Sequence, residues 1–228
     1  MKKNWWKILT IILLFYTIIV GLLGEVPRMA VLNETVRNLY FHVPMWFGMV
    51  IILAVSVFHS ILYLSKQKKI NDFYASESVN VSIVLGVLGL ITGMAWAKFT
   101  WGQYWSGDPK QNASAVGLLI YLAYALLRAS LNDEEQRAKF SAVYSVFAFA
   151  IFIPLIFILP RLTDSLHPGN GGNPGFNVYD QAKSLRLVFY PAVIGWTLLA
   201  WWIVTLRVRL RVWEYKKINQ KITSMVKS

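Results

Sequence analysis

Six runs of about twenty mostly apolar residues dominate this chain, and each is long enough to cross the roughly 30 Å hydrocarbon layer of a bilayer as a helix at 1.5 Å per residue. They run Trp5 to Val26, Val43 to Leu64, Val79 to Phe99, Ala113 to Arg128, Phe140 to Leu159 and Leu185 to Leu206. Hydrocarbon offers no hydrogen-bond partner to a peptide group, so such runs must fold as helices. Of the 228 residues, 56% are hydrophobic and only 15% charged, too apolar a balance for a soluble domain of this size to hide. The expected fold is all-α: a polytopic membrane protein, a six-transmembrane-helix bundle forming one domain over residues 1–228.

Lys and Arg divide unevenly between the loops. Sixteen of the 23 fall on the side of the two termini and the loops near residues 66–69 and 128–139. The positive-inside rule then puts both termini in the cytoplasm. The first span reads as a retained anchor, because no A-x-A-like cleavage site follows it and five more spans do. The net charge of +12 is read as topology determinants and contacts with lipid headgroups in the bilayer, with no nucleic acid as partner. There is no Cys, so disulfides, thiolate metal sites and thioether haem attachment are excluded. No phosphate-binding Gly-x-x-x-x-Gly-Lys sequence occurs, so the chain by itself is not an ATPase. Gly86, Gly89 and Gly93 have the spacing of a close helix contact, and Pro154 is expected to kink the fifth span. The cytoplasmic loops hold little beyond charge. No acid or base is expected deep in a span.

The distinctive chemistry lies in the three outer loops, near residues 26–42, 100–112 and 160–184. Imidazole is a general ligand for iron, zinc and copper. His42 and His167 both sit at the outer interface, where they can share a metal, although an interfacial His is ordinarily a plain hydrogen-bonding side chain. His59 is 17 residues from His42 on one helix, about 25 Å away, and is read as interfacial on the cytoplasmic side. The middle loop runs Trp101-Gly102-Gln103-Tyr104-Trp105-Ser106-Gly107-Asp108-Pro109-Lys110. An aromatic belt with a Gly-Asp-Pro turn accounts for part of this. Trp101, Tyr104 and Trp105 also offer a flat apolar platform suited to a porphyrin, whose carboxylates Arg37, Lys110, Arg161 and Arg186 can meet. The stretch Pro168 to Gly175 disfavours regular structure and is read as a mobile lid.

The pattern Trp-Gly-x-x-Trp-x-x-Asp-Pro-Lys, set between one His loop and another, resembles the tryptophan-rich "WWD" motif of the haem-handling proteins of cytochrome c biogenesis. Six spans with that loop order are similar to the haem exporter protein C family (cytochrome c maturation protein C). The resemblance implies a haem carrier rather than an enzyme, in the bacterial inner membrane, holding haem b non-covalently and transiently on the periplasmic side. It implies His42 and His167 as axial iron ligands. Trp101, Gly102, Trp105 and Asp108 would be the motif core, with Tyr104 beside it and Lys110 and Arg37 toward the propionates. It also implies transfer to a periplasmic haem chaperone similar to cytochrome c maturation protein E, with ABC-type ATPase and permease subunits and a small single-span subunit as further partners. The family commonly has Trp immediately before the Asp; here Gly107 takes that place. Two other readings compete: a solute permease with an aromatic belt, which usually carries ionisable sites at mid-membrane, and a b-type cytochrome, which needs paired His within spans.

Overall fold

A computed structural model describes residues 4–28, 32–167 and 182–227. Helix α1 is Trp5–Leu23. A 3₁₀ turn at Asn33–Asn38 leads into α2, Leu39–Lys66; then follow α3, Lys69–Trp101, and α4, Pro109–Ser130. Helix α5, Glu134–Ile153, continues as a π turn at Pro154–Ile158 and a 3₁₀ turn at Leu159–Arg161, and α6 is Lys183–Lys227. Among the described residues, six helices are long and apolar enough to cross a membrane, and an even number of crossings returns α6 to the side on which α1 begins. The wider π turn starts at Pro154, whose missing N–H interrupts the α-helical ladder where a kink is expected.

The α2–α3 hairpin is the centre of the bundle, with α6 against α1, α2 and α3, and α5 against α2 and α4. Met49, Leu53, Val79, Tyr121, Phe152 and Val204 form its buried core. The outward faces carry Ile8, Ile12 and Phe15 on α1, Leu119 and Leu126 on α4, and Phe147 and Ile151 on α5, all suited to lipid. The three glycines of α3 each receive one α2 side chain. A Cβ at Gly86 would lie 2.8 Å from the Met49 sulfur, one at Gly89 2.9 Å from Trp46 Nε1, and one at Gly93 2.5 Å from His42 Cε1. The small residues thus set the helices' separation, and side chains of the partner fill the space.

The helices reach further than their apolar windows. Helix α2 starts at Leu39, so His42 lies in its first turn rather than in a loop. Helix α4 starts at Pro109 rather than Ala113, because Asp108 caps it by accepting from the Lys110 and Gln111 amides and Pro109 fits the first helical position. Helix α6 has 45 residues, about 68 Å, more than twice the hydrocarbon thickness. Helix α3 begins ten residues before Val79, which corrects the picture of loops on the terminal side that hold little beyond charge. Asp72 and Glu77 are buried in α3. Arg128 of α4 donates to both Asp72 carboxylate oxygens at 2.7 Å. Arg207 and Arg211 of α6 flank the two oxygens of Glu77. These pairs tie α4 and α6 to α3 at the terminal end of the bundle.

Removing one partner of a buried pair strands the other charge, at a cost of about 3–5 kcal/mol. Asp72→Ala is therefore expected to lower the unfolding free energy in detergent by about that amount, and Asp72→Ala with Arg128→Met to recover most of it. Equal losses in the single and double variants would contradict the pairing.

Candidate functional site

Residues 32–38, 102–108 and 162–167 meet around the C-terminal end of α3, on the membrane face opposite the termini. The His42 ring lies on α3 between Gly89 and Trp96. Its Nδ1 is 2.9 Å from the Gly89 carbonyl oxygen and 3.3 Å from Thr92 Oγ1. A carbonyl only accepts, so Nδ1 carries the proton and Nε2 keeps its lone pair. The Trp96 ring packs edge-on to the imidazole at 5.9 Å, and Gly93 leaves the room the ring occupies. Trp96 Nε1 donates to Thr35 Oγ1 at 3.1 Å, and Asn38 Nδ2 donates to the Thr92 carbonyl at 3.0 Å. The start of α2 is thereby fixed on α3, and His42 with it.

His167 comes to the same end of α3 from the segment after Arg161. Its Nδ1 donates to Asp108 Oδ1 at 2.8 Å, and its ring meets Trp101 edge-on at 4.7 Å. Asp108 also accepts from Ser165 Oγ on both oxygens and from the Leu166 amide at 2.7 Å on Oδ2. Burial opposes charge on Asp108. The Leu166 amide, the Ser165 hydroxyl, His167 and the Lys110 amide outweigh it and hold the carboxyl below its ordinary value. Burial also pushes the His167 imidazole below its ordinary value, assisted by Lys110 and opposed by Asp108. At neutral pH the pair is a carboxylate accepting from a neutral imidazole, which again leaves Nε2 as the free donor atom. His42 and His167 lie within electrostatic reach of each other, and Lys110 within reach of both.

The connecting loop is built on Gly102 and Gln111. Gly102 ends α3 at φ +82° with its amide on the Lys98 carbonyl. Gln111, buried in α4, accepts from the amide and hydroxyl of Ser106 at 3.0 Å and donates to the Tyr104 carbonyl at 3.3 Å. Tyr104 and Trp105 stay exposed; Lys98 Nζ lies 5.7 Å from the Tyr104 ring centre. Gly107 sits at φ +74°, a conformation that costs any side chain about 1–2 kcal/mol, so the turn chosen here suits Gly where the related motif has Trp. Lys110 makes no ion pair among the described residues.

Arg37 is held differently from the free cation expected. Its Nη1 donates to the Gly21 and Gly24 carbonyls at 3.0 and 2.7 Å, and its Nε to Glu34 at 2.8 Å. It lines an apolar cleft of about 360 Å³ with Phe41, Trp96 and Phe99. His59 is at the far end of α2, stacked on Tyr74 at 4.7 Å with its Nδ1 3.2 Å from Asn71 Oδ1. The stretch Pro168 to Gly175, read above as a lid, lies outside the described residues. Sequence reasoning missed Trp96, Gln111, Ser165 and the role of Gly93. Trp96 had a usable signal, since it shares a helix face with Gly86, Gly89 and Gly93.

Comparison with known proteins covers nearly the whole chain. A family model described as Heme exporter protein C matches residues 2–223. Heme exporter protein C of Rhodobacter capsulatus is 23% identical over 205 residues, covering 86% of this chain and 81% of that protein. The protein of the same name from Bradyrhizobium diazoefficiens is 27% identical over 169 residues, 73% of this chain and 63% of that protein. Cytochrome c biogenesis protein CcsA of Prochlorococcus marinus is 38% identical over 80 residues, 35% of this chain but only 26% of that protein.

The glycine row makes a graded prediction. Gly93→Ala drives a Cβ into a ring pinned by Gly89 and Trp96, whereas Gly86→Ala meets the end of a flexible Met side chain. Overpacking of this kind costs about 1–3 kcal/mol. Gly93→Ala is expected to lower the thermal unfolding midpoint clearly more than Gly86→Ala; the reverse order would contradict the seating of His42.

Proposed function

The chain belongs to the haem exporter protein C family, and from that premise we propose that it carries haem b, bound non-covalently and transiently, at the membrane face opposite its termini. That face is the periplasmic side of a bacterial inner membrane, and the acceptor is a periplasmic haem chaperone similar to cytochrome c maturation protein E. Members of this family are haem carriers and not enzymes, and neither is this chain.

The observation that carries the reading is the matched state of the two imidazoles. His42 and His167 each give the Nδ1 proton to a protein acceptor, which leaves the lone pair of each neutral ring on Nε2. Two imidazoles alone make a poor cage for a bare ion, but they complete the coordination of an iron already held by four porphyrin nitrogens. Trp101, against His167, and Trp105 and Tyr104 beyond it supply apolar rings for the macrocycle, on the turn that Gly102 makes possible. Lys110, near both imidazoles and without an ion pair among the described residues, is the cation best placed for a propionate. Arg37 can serve the second only by leaving Glu34, and otherwise anchors the start of α2. ABC-type ATPase and permease subunits and a small single-span subunit complete the proposed assembly; any ATP hydrolysis belongs to them.

The test is haemin titration of the purified protein in mild detergent. His42→Ala and His167→Ala are each expected to weaken binding at least about tenfold, a loss of 1.4 kcal/mol or more. Trp101→Ala should weaken it several-fold and His59→Ala leave it within twofold. Unchanged binding in the His42→Ala/His167→Ala double variant would overturn the proposal.

A further inference from the structure

Asp108 is more than a helix cap. A cap needs one oxygen, and Oδ1 meets that need by accepting from the Lys110 and Gln111 amides. Oδ2 is turned wholly to the other loop, accepting from Ser165 Oγ at 2.8 Å and the Leu166 amide at 2.7 Å, while Oδ1 also takes the His167 Nδ1 proton. The carboxylate side chain is only 1% exposed. A buried charge that gathers one loop around one imidazole is costly to keep for capping alone.

The two candidate ligands differ in what receives their proton. His42 donates to a neutral backbone carbonyl, His167 to a carboxylate. An anionic acceptor makes the stronger hydrogen bond and raises the electron-donating power of the opposite ring nitrogen. We propose that Asp108 is a positioning residue acting through His167: it latches the 165–167 segment to the start of α4, fixes the imidazole with its proton on Nδ1 and its lone pair on Nε2, and makes the loop histidine the more basic of the two iron ligands. This rests on the haem-carrying reading above. It extends that reading by assigning to Asp108 a bias of the bound iron toward the ferric state, because a more basic ligand favours the higher oxidation state.

The experiment is a redox titration of the full-length protein loaded with haem in detergent. Asp108→Asn keeps an oxygen for the α4 cap but removes the charge; the midpoint potential is expected to shift positive, with a smaller low-spin fraction in the ferric spectrum. Asp108→Asn/His167→Ala should match His167→Ala alone, since the charge acts only through the imidazole. A second approach leaves Asp108 in place. In His167→Gly, added imidazole should restore the low-spin spectrum near the wild-type potential. 1-Methylimidazole, which has no N–H to give Asp108, should restore it at a more positive potential. Equal potentials for the two added bases, or a wild-type potential in Asp108→Asn, would overturn the proposal. Haem binding that survives loss of both His42 and His167 would instead defeat the carrier reading itself.

Discussion

The close seating of α2 on α3 governs the rest of the molecule. Lipid chains are as apolar as a leucine side chain, so helices in a bilayer gain little from hiding apolar surface and depend on shape and on small residues that let backbones approach. Here Gly86, Gly89 and Gly93 admit Met49, Trp46 and His42 in turn. The same row that brings the helices together therefore ends in the imidazole, and the carbonyl of its middle member takes the imidazole proton. Packing and the orientation of the His42 imidazole are one feature of the hairpin. A change that spreads α2 from α3 would move His42 before it unfolded the bundle.

The polar groups divide into two sets with different work. At the terminal end, Asp72 with Arg128 and Glu77 with Arg207 and Arg211 bind α4 and α6 to α3. Buried Ser56 adds hydrogen bonds to the Ala75 carbonyl and to Ser145. At the opposite end the charges serve loops and imidazoles: Asp108 gathers the 165–167 segment, and Arg37 ties the 3₁₀ turn at Asn33–Asn38 to the end of α1. One end of the bundle is clamped by ion pairs between helices. The other is assembled from loops hung on α3, where the proposed haem site lies.

The bilayer makes some of this legible in the sequence and hides the rest. Hydrocarbon thickness sets a length that apolar runs must meet, so all six spans can be read from hydropathy. It sets no limit on how far a helix continues into water or headgroups. Lys69 to Ser78 and the residues after Leu206 are polar and still helical, and the buried roles of Asp72 and Glu77 were missed for that reason. The motif order pointed to the segments that carry His42, His167 and the Trp-rich turn. The placement of His42 on Gly93 depends on the register between two helices, which no single segment records. The engagement of Arg37 with Gly21 and Gly24 likewise depends on where α1 ends relative to the 3₁₀ turn. Asp108 was legible as part of a motif, whereas its hold on His167 joins residues 59 apart.

The proposed haem site depends on His42 and His167 acting on one iron. The most direct measurement is the visible absorption spectrum of the wild-type protein loaded with haem, oxidised and then reduced. A low-spin six-coordinate spectrum with two imidazole ligands is expected in both states. A high-spin, five-coordinate spectrum in the oxidised wild-type protein would mean that the two imidazoles do not converge, and would contradict the proposed site.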